Sequence, residues 1–139
     1  MRKFWTSAAV VSGALATLVM TGATAYADVG FGSTWNGCTN KVVLNQSNGQ
    51  MYAYGIMDCT SAQKFLNPNV ALSGNNGANG WKDASAACTW VTRCVTPTVY
   101  LPEIYGVRYN SSNSGTMAGI LVGPEWSVAH VTRYGGDRS

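Results

Sequence analysis

Charge and histidine are both scarce in this sequence. Of its 139 residues, nine are Lys or Arg, six are Asp or Glu, and His130 is the single histidine. Two of the nine basic residues lie at positions 2 and 3, so seven basic and six acidic residues follow residue 27 and leave a net charge of +1. Because no basic run is present to follow a phosphate backbone, nucleic acid is not an expected partner.

Enzyme chemistry has few candidate residues. The lone histidine and the lack of a G-x-S-x-G turn argue against a Ser-His-Asp site. Spacing alone leaves a glycosidase pair open, since that chemistry needs only two acids about 5 to 10 Å apart. The acids concerned are Asp58, Asp83, Glu103 and Glu125. Acids at strand ends are more often solvated turn charges, and we predict that the protein is not an enzyme and has no catalytic residue.

Metal-ligand spacing is lacking as well. Cys38, Cys59, Cys88 and Cys94 are separated by 20, 28 and 5 residues. Zinc sites are instead built from C-x2-C or closely spaced Cys and His pairs. The sequence therefore predicts no metal and no cofactor, and the even number of cysteines predicts two disulfides.

No hydrophobic run is long enough to cross a membrane. Residues 8–20 form a mostly apolar stretch of 13 residues, which as a helix is about 20 Å long against a hydrocarbon core of about 30 Å. Two basic residues precede this stretch, and Ala25-Tyr26-Ala27 fits the small-x-small cleavage rule. We predict a signal peptide over residues 1–27 and a secreted, extracellular protein that begins at Asp28 and has no membrane contact after cleavage.

What the sequence does contain is a strong hairpin signal. Asn48-Gly49 lies between the strand-like residues 41–46 and 51–58, and Asn-Gly favours a two-residue turn. That turn places Cys38 opposite Cys59 at a non-hydrogen-bonded pair, where Cα atoms about 4.5 Å apart allow a disulfide. Cys88 then pairs with Cys94 and closes a five-residue loop.

The same register sorts the hairpin side chains into two faces. The predicted core face is almost wholly apolar and consists of Cys38, Val42, Leu44, Met51, Ala53, Gly55, Met57 and Cys59. The opposite face is predicted to be exposed to solvent or to bind a partner. It consists of Lys41, Val43, Asn45, Ser47, Gln50, Tyr52, Tyr54, Ile56 and Asp58.

Short strands punctuated by Gly and Asn turns are predicted for the rest of the chain. The strand candidates are residues 81–87, 95–101, 105–109, 116–122 and 126–134, with a hairpin connection at 110–115 and a short helical turn at 61–66. This pattern predicts an all-β fold, an antiparallel β-sandwich of immunoglobulin-like or Greek-key type with two disulfides. The predicted domain covers residues 38–134, between an N-terminal arm at 28–37 and a disordered tail at 135–139.

Six aromatic or basic residues are candidates for partner binding. Trp90 and Arg93 lie on the predicted Cys88–Cys94 loop, and these residue types dominate interface energetics. The alternative is that Trp90 folds back over the sandwich edge while Arg93 is solvated. Tyr52 and Tyr54 lie on the polar hairpin face. Phe31 and Trp35 lie in the arm. They are predicted to bind in a groove of another protein or, alternatively, to cap the core of their own domain.

In layout, the chain resembles the small secreted two-disulfide β-sandwich proteins of actinobacterial type. The resemblance covers the whole chain and rests on the Ala-rich export signal and the two cysteine pairs. That group includes protease inhibitors, antibiotic carriers and adaptor subunits of umbrella toxins, although Cys88-x5-Cys94 departs from the carrier and subtilisin-inhibitor patterns. No functional residue is transferred from the group.

The resemblance implies a non-enzymatic binding module that acts as an adaptor or antagonist on another secreted or surface protein, in competition between bacteria. Two alternatives remain open. One is a serine-protease inhibitor that uses Arg93, and the other is a carbohydrate or cell-wall binding protein that stacks sugars on Trp90, Tyr52 or Tyr54.

Overall fold

The structure, a computed structural model, describes residues 27–117, 120–121 and 127–137. The predicted signal peptide lies outside the described residues except for Ala27, as do Glu125 and the last two residues of the predicted tail. The described part of the chain contains strands, a 3₁₀ turn at Asn75–Gly77 and no α-helix. The strands are β1 Asp28–Phe31, β2 Cys38–Ser47, β3 Gln50–Gln63, β4 Asn69–Gly74, β5 Trp81–Ser85, β6 Val91–Val95, β7 Val99–Pro102, β8 Arg108–Asn113, β9 Thr116–Met117, β10 Ile120–Leu121 and β11 Ala129–Tyr134.

Two antiparallel sheets pack face to face. In the first sheet the order is β1-β2-β3, and β6 and β7 both pair with the far side of β3. In the second sheet the order is β11-β8-β4-β5. After β3 the chain crosses to β4 and β5, returns to β6 and β7, and crosses again to β8 beside β4. These crossings are those of a Greek key, and the predicted all-β sandwich is confirmed.

The predicted hairpin register is confirmed residue by residue. Ser47 pairs with Gln50 across the turn, and the ladder continues without a bulge to Cys38 opposite Cys59. Asn48 and Gly49 have φ of 52° and 77°, the two positive values that a type I′ turn requires. Both predicted disulfides are present, with Cα atoms 4.0 Å apart in the Cys38–Cys59 pair.

A second Asn-Gly turn joins β1 to β2. Asn36 and Gly37 have φ of 52° and 79°, close to the values at Asn48-Gly49. The residues on either side, Trp35 and Cys38, exchange two backbone hydrogen bonds of 2.8 and 2.9 Å. Residues 28–37, expected to form an arm, therefore form an edge strand and a turn of the first sheet, and the Asn36-Gly37 dipeptide is the signal that sequence reasoning passed over.

Glycine in β1 allows the two sheets to approach closely at this edge. A Cβ at Gly30 would overlap the backbone carbonyl of His130, and one at Gly32 would overlap the carbonyl of Ser127. Since no side chain fits between the backbones, the register of β1 turns Gly30 toward the second sheet and places Val29 and Phe31 on the outside.

The core lies between the sheets and includes polar groups that bond across it. One cluster of its apolar residues consists of Val42, Leu44, Met51, Ala53, Val70, Leu72, Val99, Leu101, Val107, Tyr109 and Ala129, and a second consists of Cys38, Met57, Leu66 and Cys94. The Tyr109 hydroxyl donates to the Pro102 carbonyl at 2.6 Å and accepts from the Ile104 amide at 3.0 Å, as in the tyrosine corner of immunoglobulin-like sandwiches.

Asn113 links the two sheets through their backbones. Its fully buried amide lies on β8 and donates to the carbonyls of Lys41 and Ile56 at 2.9 and 3.1 Å. Its Oδ1 accepts from the Asn69 amide at 3.1 Å. A Cβ at Gly55 would meet this side chain, so the small residue at position 55 makes room for the amide.

A buried arginine joins the two ends of the described domain. Arg133 on β11 is 2% exposed, and its guanidinium forms an ion pair of 2.8 Å with Asp28 and donates to the side chain of Gln46. Gln46 in turn donates to the Asp137 carbonyl. Removing one partner of a buried charge is costly, so this network ties β1 and the chain beyond β11 to the sandwich.

Three expectations about local structure are wrong. Residues 110–115 are not a hairpin connection, because β8 continues to Asn113 and pairs with β11 rather than β9. Residues 61–66 form no helical turn, because β3 runs to Gln63. Residues 135–137 belong to the fold rather than to a disordered tail: the Gly135 amide donates to the Val107 carbonyl at 2.8 Å, and the Gly136 amide donates to Glu103 at 2.7 Å.

The close approach at β1 predicts a large effect of one methyl group. Gly30→Ala is expected to lower the free energy of unfolding by about 1 to 3 kcal/mol, because the added carbon forces the two backbones apart. Urea denaturation of residues 28–139 measures this loss. Ser33→Ala, at an exposed position of the same segment, is the control and is expected to change stability by less than about 0.5 kcal/mol. Equal stability of Gly30→Ala and the parent protein would contradict the packing.

Candidate functional site

The side chains of the first sheet that point away from the core form one continuous surface, here called the outer face. Strand alternation and the observed pairings define it. Its residues are Val29, Phe31, Thr39, Lys41, Val43, Asn45, Tyr52, Tyr54, Ile56, Asp58, Arg93, Val95 and Tyr100. It therefore extends the predicted hairpin face with side chains from β1, β6 and β7.

Cross-strand pairing arranges the outer face in rows. Phe31, Lys41, Ile56 and Val95 lie side by side on four adjacent strands. A second row joins Val29, Val43 and Tyr54; a third joins Asn45, Tyr52 and Tyr100; and a fourth joins Thr39, Asp58 and Arg93. Directly opposed side chains in such rows are in contact range, so three rows of mainly apolar groups adjoin one charged row.

Four apolar side chains in these rows are exposed to solvent. Phe31 is 63% exposed, Tyr100 49%, Val29 44% and Val95 43%. The expectation of a wet polar face is wrong at Val43, which its neighbours bury. None of the four exposed residues was predicted for this surface. Val29 and Phe31 were assigned to the arm because the Asn36-Gly37 turn was passed over, and Val95 and Tyr100 lie on strands remote in sequence from the hairpin.

Tyr52 and Tyr54 are half-buried within these rows. The Tyr52 ring lies against Tyr100, with centroids 6.2 Å apart and ring planes tilted by 43°. Burial raises the pKa of both Tyr52 and Tyr54, so their hydroxyls are protonated at neutral pH. The two tyrosines can therefore donate hydrogen bonds from an otherwise apolar surface.

Asp58 is the centre of the charged row. Its Oδ2 lies 2.6 Å from Lys41 Nζ, and its Oδ1 lies 2.7 Å from Arg93 Nε. Arg93 adds a second bond from Nη2 to Oδ2 at 2.9 Å, which makes a bidentate pair. The hydrogen bonds from Arg93 and Lys41 lower the pKa of Asp58 to about 2, so the carboxylate is ionised at all physiological pH values.

An open depression of about 450 Å³ lies beside this charged row. Its lining comprises Thr34, Gly37, Thr39, Lys41, Asp58, Cys59, Thr60, Thr92 and Arg93. The β1–β2 turn supplies one wall, since Gly37 belongs to the turn and Thr34 and Thr39, on either side of it, are hydrogen-bonded through their hydroxyls at 2.7 Å. Sequence reasoning missed this depression because the turn at Asn36-Gly37 builds it.

The predicted binding residues fall into two groups. Phe31, Tyr52, Tyr54 and Arg93 come together on the outer face, whereas Trp35 lies at the β1–β2 turn and Trp90 lies in the disulfide loop before β6. The alternative in which Phe31 caps the core is wrong, because Phe31 is 63% exposed and the register that turns Gly30 inward places it outside. Trp35 is 38% exposed.

Trp90 has an unusual backbone as well as an exposed side chain. It is 69% exposed, so it does not fold back over the sandwich edge. Its φ is 56°, in the left-handed region that bulky residues rarely adopt. Strain of this kind costs about 1 to 3 kcal/mol and persists where the surroundings fix the conformation. The Cys88–Cys94 disulfide that closes the loop provides such surroundings.

The described residues contain neither a cluster of metal ligands nor a membrane-spanning helix. Over residues 27–117, 120–121 and 127–137, no three His, Cys, Asp or Glu side chains are grouped in a way that suits a metal ion. His130 is exposed on β11, on the second sheet. Within the same ranges, no helix is both long and apolar enough to cross a membrane.

The depressed pKa of Asp58 predicts a defined pH dependence. The ordinary value of 3.8 falls to about 2 in the folded protein, so the stabilisation from its ion pairs is complete above about pH 4 and is lost as the pH falls through about 2. We expect Asp58→Asn to be less stable than the parent by about 1 kcal/mol or less at pH 7, since the pairs are partly exposed.

Thermal unfolding from pH 7 to pH 2 measures this difference, which should shrink toward zero below pH 4. Asp83→Asn, at an exposed position of β5, controls for the loss of one negative charge. A difference between parent and Asp58→Asn that is as large at pH 2 as at pH 7 would contradict the assignment.

The strained backbone at Trp90 predicts that glycine is tolerated there. Trp90→Gly is expected to leave the free energy of unfolding unchanged or to raise it by up to about 1 kcal/mol, because glycine adopts positive φ without strain. Trp81→Gly is the matched control: Trp81 is 56% exposed but lies in the extended strand β5, and a glycine there is expected to cost about 0.5 to 1 kcal/mol. A loss of about 3 kcal/mol in Trp90→Gly, measured by urea denaturation, would show instead that the ring packs on the fold.

No protein-family model, curated protein or solved structure matches this chain.

Proposed function

We propose that the mature protein is a secreted, non-enzymatic protein-binding module that contacts another secreted or cell-surface protein through its outer face. The observation that carries this proposal is the set of four exposed apolar residues, Val29, Phe31, Val95 and Tyr100, on one regular sheet surface. Contiguous exposed apolar groups rimmed by polar residues are typical of protein-interaction sites.

The composition of the outer face suits a protein partner. Tyrosine and arginine are enriched among the residues that contribute most to binding, and the face carries Tyr52, Tyr54, Tyr100 and Arg93. A paired sheet also holds these groups in place before binding, which reduces the entropy lost on association. Trp90 supplies a further exposed aromatic ring on a loop that a disulfide constrains.

The secreted location is supported by two features. The four cysteines form two disulfides, and disulfides persist in oxidising compartments. The predicted signal peptide ends directly before β1, the first strand of the described domain. Together with the layout resemblance, these features support an adaptor or antagonist that acts outside the cell, in competition between bacteria.

The contacts of Arg93 weigh against the protease-inhibitor alternative. An inhibitor must present its specificity side chain to the enzyme, whereas Arg93 is bonded to Asp58 through two nitrogens and lies in a paired strand. The tilt of 43° between Tyr52 and Tyr100 gives no flat platform for a sugar ring across this pair. On the outer face, protein binding therefore explains more of the surface than either alternative.

Affinity capture from the native culture supernatant tests the proposal. Residues 28–139 carrying a C-terminal tag are the bait, and recovered proteins are quantified by mass spectrometry. The double variant Phe31→Ala, Tyr100→Ala is expected to reduce recovery of the partner by at least tenfold, since loss of buried aromatic anchors costs about 2 kcal/mol or more.

The control is the double variant Trp81→Ala, Tyr134→Ala. Its side chains are 56% and 52% exposed, close to those of the tested pair, but both belong to the second sheet. The control should recover the partner at the parent level. Equal recovery by both double variants would refute the outer face as the binding surface. Recovery of the bait alone, together with its retention on insoluble glycan, would replace the proposal by carbohydrate binding.

A further inference from the structure

The depression beside Asp58 has an excess of positive charge. Lys41 and Arg93 contribute two positive charges to its lining, and Asp58 contributes one negative charge, so the lining carries a net charge of +1. Both oxygens of Asp58 already accept bonds from these two cations. The Asp58 carboxylate therefore has most of its hydrogen-bonding capacity taken up by Lys41 and Arg93. One positive charge remains to attract a ligand.

Hydrogen-bond donors are also in excess there. A guanidinium has five N–H groups, and the bonds to Asp58 come from Nε and Nη2 of Arg93, so Nη1 lies outside the bidentate pair. The Arg93 side chain is 60% exposed. Thr60 and Thr92 add hydroxyl groups around the same opening, and the hydrogen-bonded hydroxyls of Thr34 and Thr39 leave one further donor. A planar, oxygen-rich group with one negative charge matches this donor set, because guanidinium and carboxylate bond edge to edge.

We propose that this depression is a carboxylate subsite of the outer face, an inference that rests on the proposed function. The subsite binds an acidic group of the protein partner through Arg93 and Lys41. The charged row lies directly beside the row of Phe31, Lys41, Ile56 and Val95. Lys41 joins the two rows, with its Nζ 2.6 Å from Asp58 and 5.8 Å from the Phe31 ring centroid. The acidic group of the partner is therefore flanked by apolar side chains that cover Phe31 and Val95.

NMR titration of the ¹⁵N-labelled parent protein, residues 28–139, tests the subsite directly. The probes are N-acetylglutamate α-methylamide for a side-chain carboxylate and N-acetylalanine for a C-terminal carboxylate. Saturable shifts of the Arg93 Nε–Hε signal and of the Thr39 and Thr92 amides are expected in the millimolar range. The glutamine counterpart of the first probe, and sodium chloride at equal ionic strength, are expected to give no saturable shift. The probe with the lower Kd identifies the source of the carboxylate.

Three variants separate binding from structure. Arg93→Gln is expected to weaken probe binding by at least fivefold, whereas Arg108→Gln, at an exposed position on the second sheet, leaves it unchanged. Asp58→Asn is expected to tighten binding several-fold, because it raises the net charge of the lining to +2. A purely structural role of Asp58 predicts the opposite result, a loss of binding in parallel with the loss of stability.

The outcomes distinguish the subsite from the proposed function. Linear shifts, shifts reproduced by chloride, or unchanged binding in Arg93→Gln would overturn the subsite. Capture of the same protein partner at equal affinity by Arg93→Gln and the parent would also overturn it, while the proposed function would stand. Saturable carboxylate binding with no partner captured by the parent would leave the subsite in place and remove the proposed function.

Discussion

Two residues with left-handed backbone, Asn48 and Gly49, determine which side chains of β2 and β3 face the core. Because successive side chains alternate, a shift of one residue in this register would exchange the two faces completely. The Cys38–Cys59 bridge holds the far end of the same ladder. The apolar face of the hairpin packs on the second sheet. The pairing of β2 with β3 also determines which side chains lie opposite one another in each row of the outer face.

The parts of the fold that were predictable are local in sequence. The Asn48-Gly49 dipeptide predicts the turn, and the turn predicts the register of β2 and β3. The register in turn predicts both disulfides and most of the core face. The pairing of β3 with β6 and β7 was not predictable in this way, since the paired residues lie 28 to 52 positions apart and no turn signal fixes their alignment. Their absence from the prediction is why Val95 and Tyr100 were missed.

The polar residues inside the sandwich were also not predictable from the sequence. Asn113, Ser111 and Gln46 are buried, although their residue types are typical of turns and surfaces. Each is satisfied by a partner from another strand, such as the Ala71 carbonyl that accepts from the Ser111 hydroxyl at 2.7 Å. A hydropathy pattern contains no information about such partners. The stretch from residue 110 to 115 is therefore typical of a loop in sequence, although residues 110–113 belong to β8 in the fold.

The network around Arg133 also determines where the chain enters and leaves the module. Asp28 and Asp137 both contact Arg133, so the two described ends lie next to each other. Thr39, beside the charged depression, is seven residues from Gln46 along β2, a separation of about 23 Å at the usual rise of a strand. Linkers attached at either end of the domain would thus leave from one pole, and copies joined in tandem would keep their charged depressions at the opposite pole.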